Sequence, residues 1–236
     1  MVKRGPEALK DDAAKAVRDT AKEIKDEIKP KLRGWLHAAT WPLAFISFLV
    51  LLVLSENVLV RAGAAVFMFS ALALFGVSAV YHTGHWSDRA RTIWKRIDHA
   101  TIFILIAGSY TPFSLLLLSP VHATILLSVV WGGAIAGVLV RLFWVTAPRW
   151  FYVPLYLLLG WAAVFYLPEF AREAPTAVFV LLVVGGGLYS LGAVVYGFKK
   201  PDPWPSWYGF HEVFHTFTIA AFVVHYIGVS ILAYTT

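Results

Sequence analysis

Long apolar runs, separated by short polar breaks, organise this chain. They fall at 36–55, 58–82, 98–118, 121–142, 151–168, 175–198 and 210–233, each near the ~20 residues a helix needs to cross a bilayer core. The breaks are Ser55-Glu56-Asn57, the charged stretch 83–97, Ser119-Pro120, Ala147-Pro148-Arg149, Pro168 to Pro175, and Lys199 to Pro205. The pattern predicts an all-α, polytopic membrane protein built as a seven-helix bundle, the fifth span being the shortest. Two regions follow: a charged segment, 1–34, and a transmembrane domain, 35–236. Within the first, helix formers and a thin stripe of Val17, Ala21, Ile24 and Ile28 predict a helix. It lies either on the inner leaflet or in solution.

Composition agrees with this picture. Hydrophobic residues make up 59% of the chain and charged residues only 14%, against about a quarter in soluble domains. Cysteine is absent, which excludes disulfides and thiolate metal ligands. The first apolar run begins after more than thirty residues of charged sequence, so no cleavable signal is predicted.

Charge adds an orientation. The formal net charge is +6, and ten of the 20 Lys and Arg precede the first span. That placement points to membrane topology and anionic lipid rather than to nucleic acid. With the N-terminus inside, eighteen basic residues fall on the inner side, and only Arg61 and Arg172 on the outer. The sequence therefore predicts a multi-pass plasma-membrane protein with a cytoplasmic N-terminus and an outside C-terminus. Trp35, Trp41, Trp86, Trp94, Trp144, Trp150, Trp204 and Trp207 gather near the span ends, as interfacial anchors do.

Polar groups inside spans are costly, and each is a functional candidate. His82 closes the second span, one helical turn after Ser78. Asp98 and His99 open the third, and His211 and His215 open the seventh. In the deduced topology all three ends lie near the inner leaflet. Residues 211–215 match H-E-x-x-H, a pattern in which two histidines grip zinc and the glutamate acts as base. Three histidines suffice for a catalytic zinc with one position left for water. His82, His211 and His215 are the candidate ligands. Asp98 is placed to cancel charge, orient the water and take its proton, and Ser78 to hydrogen-bond the water or the substrate oxygen. His99 and Glu212 are possible supporting groups around the ligands. His37 and His122 read as ordinary interfacial polar residues, His85 as solvated, and His225 as a candidate for lining a polar path.

The segments "SAVYH" (78–82), "RIDHATIFILIAGSYTPF" (96–113) and "HEVFH" (211–215), with "WGGAIAGVL" and "KKPDPWP", are similar to the bacterial hemolysin III family. That family falls within the progestin and adipoQ receptor superfamily. The resemblance runs from about Lys31 to the C-terminus. It implies seven helices, an inside N-terminus and a zinc ion near the cytoplasmic face, held by His82, His211 and His215. The family's aspartate falls on Asp98 and its serine on Ser78. The adiponectin receptors of the superfamily are associated with ceramide hydrolysis, and the hemolysin name comes from lytic activity on blood cells. The glutamate after the first histidine of the pair is not a constant feature there, so a protease role for Glu212 is disfavoured. With little surface outside the spans, a protein hormone is not an expected partner.

Three functions compete on these grounds. One is a zinc-dependent hydrolase of a lipid amide or ester, with membrane lipid as substrate or ligand. The second is a lytic or pore-forming protein with structural zinc. The third is a sensor of membrane state. A fourth protein ligand such as His85 or His99 would favour a structural site.

Overall fold

The computed structural model describes residues 30–144 and 146–235. The expected helix within 1–34 lies almost wholly outside the described residues. Among the described residues eight α-helices follow one another: α1 Trp35–Leu54, α2 Val58–Thr83, α3 Asp88–Leu117, α4 Pro120–Phe143, α5 Arg149–Gly160, α6 Leu167–Glu173, α7 Thr176–Phe198 and α8 Phe210–Thr235. A 3-10 helix, Ala162–Tyr166, joins α5 to α6. Seven segments are long and apolar enough to cross a membrane, the fifth being Arg149–Glu173 taken as one.

Local chemistry sets the helix starts. The Asn57 side chain accepts hydrogen bonds from the Leu59 and Val60 amides. Ser87 accepts from the Ala90 amide, and Ser119 from that of His122. Each thereby satisfies amides that the first helical turn leaves without partners.

Two boundaries differ from the sequence reading. The third helix begins at Asp88, ten residues before the apolar run, so only the short link after Thr83 is non-helical. Hydropathy marks where a helix is greasy, whereas Ser87 and Asp88 mark where it starts, with a cap and an acid in the first turn. Asp98 and His99 consequently sit three turns inside α3. The fifth span continues past Pro168 to Glu173, because Pro168 lies in the first turn of α6, where a missing N–H costs nothing.

The break at Gly160 exposes backbone groups that hydrocarbon cannot satisfy. Tyr110 of α3 covers them. Its hydroxyl donates to the Gly160 carbonyl at 2.5 Å and lies 3.3 Å from that of Leu159, while accepting from the Ala163 amide at 3.2 Å.

Packing runs mostly between neighbours in sequence: α1 on α2, α2 on α3, α3 on α4, and α7 on α8. The last helix also returns to touch α1, α2 and α3. An aromatic cluster joins them, with Phe48 against Phe67 at 5.3 Å and Phe75 against Phe222 at 5.0 Å. Apolar residues such as Leu43, Val53, Phe69, Phe143 and Phe198 face outward. That is the arrangement of a protein solvated by lipid, whose buried interior carries the polar side chains. The last turn of α2, the third turn of α3 and the first turns of α8 meet at one end of the bundle.

Candidate metal centre

The α8 start explains why its two histidines are held in place. Glu212 is fully buried and turns back along the chain, where one carboxylate oxygen accepts the Gly209 amide at 2.9 Å. This is the return bond of a capping box. The other oxygen pairs with Nε of Arg33, in the segment ahead of α1. Asp202 accepts the Phe210 amide at 3.0 Å. The glutamate of the H-E-x-x-H pattern thus anchors the helix start and does not face its histidines' common centre.

That centre is formed by His82, His211 and His215, all buried. One ring nitrogen from each lies within 4.8 Å of the others, a set that could hold a metal ion. Nε2 of His211 is 3.2 Å from Nε2 of His82. Tetrahedral zinc with Zn–N bonds of about 2.0–2.1 Å would space two ligand nitrogens by about 3.3–3.4 Å. The His82 and His211 rings are therefore already near the separation a metal imposes, and the three-imidazole donor set suits a borderline-soft divalent ion. Among the described residues no fourth histidine joins them: His85 is exposed, and both ring nitrogens of His99 are engaged elsewhere.

Asp98 Oδ2 lies 3.9 Å from His82 Nε2, beyond a direct hydrogen bond. Ser78 is buried one turn before His82, and its hydroxyl has no hydrogen-bond partner among the described residues. Both side chains line a cavity with about 170 Å³ of water-sized space. The cavity begins at the histidines and continues between α3, α5, α6, α7 and α8 as far as Phe170, Leu182 and His225. His225 lies fourteen residues beyond His211 on α8, about 21 Å along the axis at 1.5 Å per residue.

Four features escaped the sequence reading. His37 of α1 is buried, and its ring stacks on His215 at 3.8 Å and 17°. No sequence periodicity pairs residues so far apart. Arg141, counted among the basic residues that set topology, is only 1% exposed. Its Nη2 donates to Nδ1 of His99 at 2.8 Å, and its guanidinium lies 4.3 Å from the Tyr152 ring centre. A guanidinium has no lone pair to accept with. His99 must therefore be neutral with its proton on Nε2, which donates to the Tyr196 hydroxyl at 3.0 Å. The signal available in the sequence was an arginine inside "GVLVRLF". Tyr196 is the third feature: it lines the cavity with its ring 5.7 Å from that of His211. The fourth is the Arg33–Glu212 pair, which joins residues 179 positions apart.

His122 sits at the far end of the bundle from the histidine cluster and pairs with Glu169. His225 hydrogen-bonds the Leu182 carbonyl at 3.2 Å, and it does line the cavity.

Comparison with known proteins places the chain. The chain is 34% identical over 157 residues to "Hemolysin-3 homolog" of Bacillus subtilis (strain 168), covering 65% of this chain and 69% of that protein. It is 30% identical over 135 residues to "Hemolysin-3" of Bacillus cereus, 57% of this chain and 61% of the relative. Against "Adiponectin receptor protein" of Drosophila melanogaster it is 25% identical over 205 residues, 71% of this chain and 41% of the receptor. The aligned stretches thus span between two fifths and about two thirds of the relatives' own lengths. A family profile described as "Haemolysin-III related" matches residues 26–226. With seven apolar helices, this is a multi-pass plasma-membrane protein. The chain belongs to the haemolysin-III-related family and fits the wider superfamily of adiponectin receptor-like membrane proteins.

Proposed function

We propose that this protein binds zinc through His82, His211 and His215 and hydrolyses an amide or ester of a membrane lipid near the cytoplasmic leaflet. The observation that carries the reading is the junction of two unlike environments. A cluster of three imidazoles, Asp98 and Ser78 opens into a largely apolar cavity that reaches about 21 Å along α8. A polar head with an acyl tail fits such a shape, and a small soluble substrate leaves most of it unused.

Zinc held there supplies Lewis acidity toward an acyl carbonyl and a means of making water nucleophilic at neutral pH. The protein's own groups divide the remaining tasks. Asp98 is close enough to the cluster to accept a proton from water and return it to the leaving amine or alcohol. Ser78, with a buried hydroxyl that lacks a partner, is available to the water or to the substrate oxygen. The apolar walls exclude bulk water from the reacting groups. A fourth position free of protein ligands supports catalysis over a structural role. The inner-leaflet placement rests on the distribution of basic residues.

The relatives' hemolysin names motivate a lytic alternative. Both readings meet in one experiment. Purified protein is analysed for metal, and lipids are profiled in cells carrying wild type or Asp98→Ala. The hydrolase reading expects Asp98→Ala to retain zinc and to lose a lipid product that wild type generates. An unchanged lipid profile with zinc retained sinks it. Leakage of vesicles by wild type that persists in Asp98→Ala and His82→Ala supports lysis instead.

A further inference from the structure

The three imidazoles come from helices that belong to different packing pairs, α2 with α3 and α8 with α7. Beyond the direct contacts of α8 with α2 and α3, the segment Pro30–His37 bridges the two pairs at the histidine end. Its main chain is pinned to the loop before α8: the Lys31 amide donates to the Ser206 carbonyl at 3.1 Å and the Leu32 amide to that of Trp207 at 3.2 Å. Lys31 Nζ lies 4.1 Å from the Trp207 ring centre. Arg33 pairs with Glu212, the residue that fastens the start of α8. Gly34 then turns the chain with φ 88°, and it abuts the α2 ligand so closely that a Cβ there would lie 2.6 Å from His82 Cβ. Three residues later, His37 lays its ring on His215.

The stack matters because of what His215 lacks. Metal-binding histidines almost always fix their ring plane by donating the remote N–H to a carbonyl or carboxylate. His215 Nδ1 is buried and has no hydrogen-bond partner. Its ring plane must be set by packing, and the surface parallel to it is the His37 ring. Phe75 backs His37 in turn, at 5.1 Å. Neither nitrogen of His37 is hydrogen-bonded, so its contribution is a flat face and not a polar link.

We propose that residues 30–37 form a clasp that fixes the candidate metal ligands relative to one another, with His37 as the positioning residue for His215. The inference rests on the metal-binding reading above. Arg33 and Gly34 set where the α8 start and the α2 end meet, and His37 sets the angle at which one imidazole presents itself to a divalent cation.

The test uses the full-length protein in detergent, stripped of metal and reloaded with zinc or cobalt. Zinc affinity is measured by competition with a chromophoric chelator, and ligand geometry by the visible absorption of the cobalt form. His37→Ala is expected to weaken zinc binding about 10–100-fold, the usual cost of losing a group that orients a ligand, and to alter the cobalt spectrum. His37→Phe, which keeps a flat ring and removes both nitrogens, is expected to restore affinity and spectrum. If His37→Ala does not accumulate as folded protein, His37→Leu fills the space without a flat face and carries the same expectation. Wild-type affinity and spectrum in either aliphatic variant overturn the proposal. A His37→Phe variant as impaired as His37→Ala overturns the stacking role. Wild type that binds neither ion defeats the metal reading itself, a result distinguishable from both.

Discussion

Helix α8 carries histidines at both ends of one cavity, and the two ends treat them in opposite ways. His225 is housed as a single polar group. Its Nε2 meets the Leu182 carbonyl, and Gly185 makes room for it, since a Cβ there would come within 2.2 Å of that nitrogen. At the other end, His211 and His215 find no backbone carbonyl and face His82 instead. One neighbouring acceptor takes the single N–H of this lone imidazole, while its Nδ1 stays buried without a partner. Three imidazoles that each bring one ring nitrogen within 4.8 Å of the others form a set that could hold a metal ion.

The contrast can be broken experimentally, beginning where the effect is largest. His82→Ala or His211→Ala should abolish stoichiometric zinc, whereas His225→Ala should leave it at wild-type content. Metal analysis of the purified proteins decides, and zinc loss in His225→Ala would dissolve the distinction. Arg141→Met comes next. It removes the donor that fixes the His99 tautomer and leaves a buried ring nitrogen without a partner. A loss of about 1–3 kcal/mol is expected, read as thermal unfolding in detergent, with zinc content unchanged. Glu212→Ala removes the capping return bond and the Arg33 contact. Its expected cost is about 1–2 kcal/mol, read as thermal unfolding in detergent, and wild-type zinc affinity in this variant would remove the Arg33–Glu212 contact from the clasp. The smallest effect belongs to His225→Phe, which forfeits one neutral hydrogen bond and should cost about 1 kcal/mol or less.

Much of this was legible in the sequence. Apolar periodicity and length located seven spans, and the positions of Ser78, His82, Asp98, His211 and His215 at three span ends predicted their convergence. What the sequence left hidden shares one physical character. The stack of His37 on His215, the guanidinium of Arg141 behind His99, and the Arg33–Glu212 pair are all contacts between residues far apart in the chain. The local contacts of these residues, such as the Gly209 amide on Glu212, give no sign of the distant partner. Arg141 shows the difficulty well, because a basic residue near a span end serves topology arguments equally whether it faces headgroups or the interior. Helix limits failed for a related reason. The α3 start was written in capping chemistry at Ser87 and Asp88, and a hydrophobicity pattern does not register caps.

The hydroxyl of Tyr110 stands in for solvent. By bridging the carbonyl of Gly160 and the amide of Ala163, it does for a fractured helix what water does for a loop. In an aqueous protein its deletion would be repaired at once by the surroundings. Within a membrane-spanning segment the repair depends on water in the adjoining cavity, which Tyr110, Gly160 and Ala163 line. Tyr110→Phe, a change of one atom that leaves the packing intact, is therefore a substitution whose severity belongs to the solvent as much as to the protein. It would be felt least in a small, water-penetrated micelle and most in a thick bilayer.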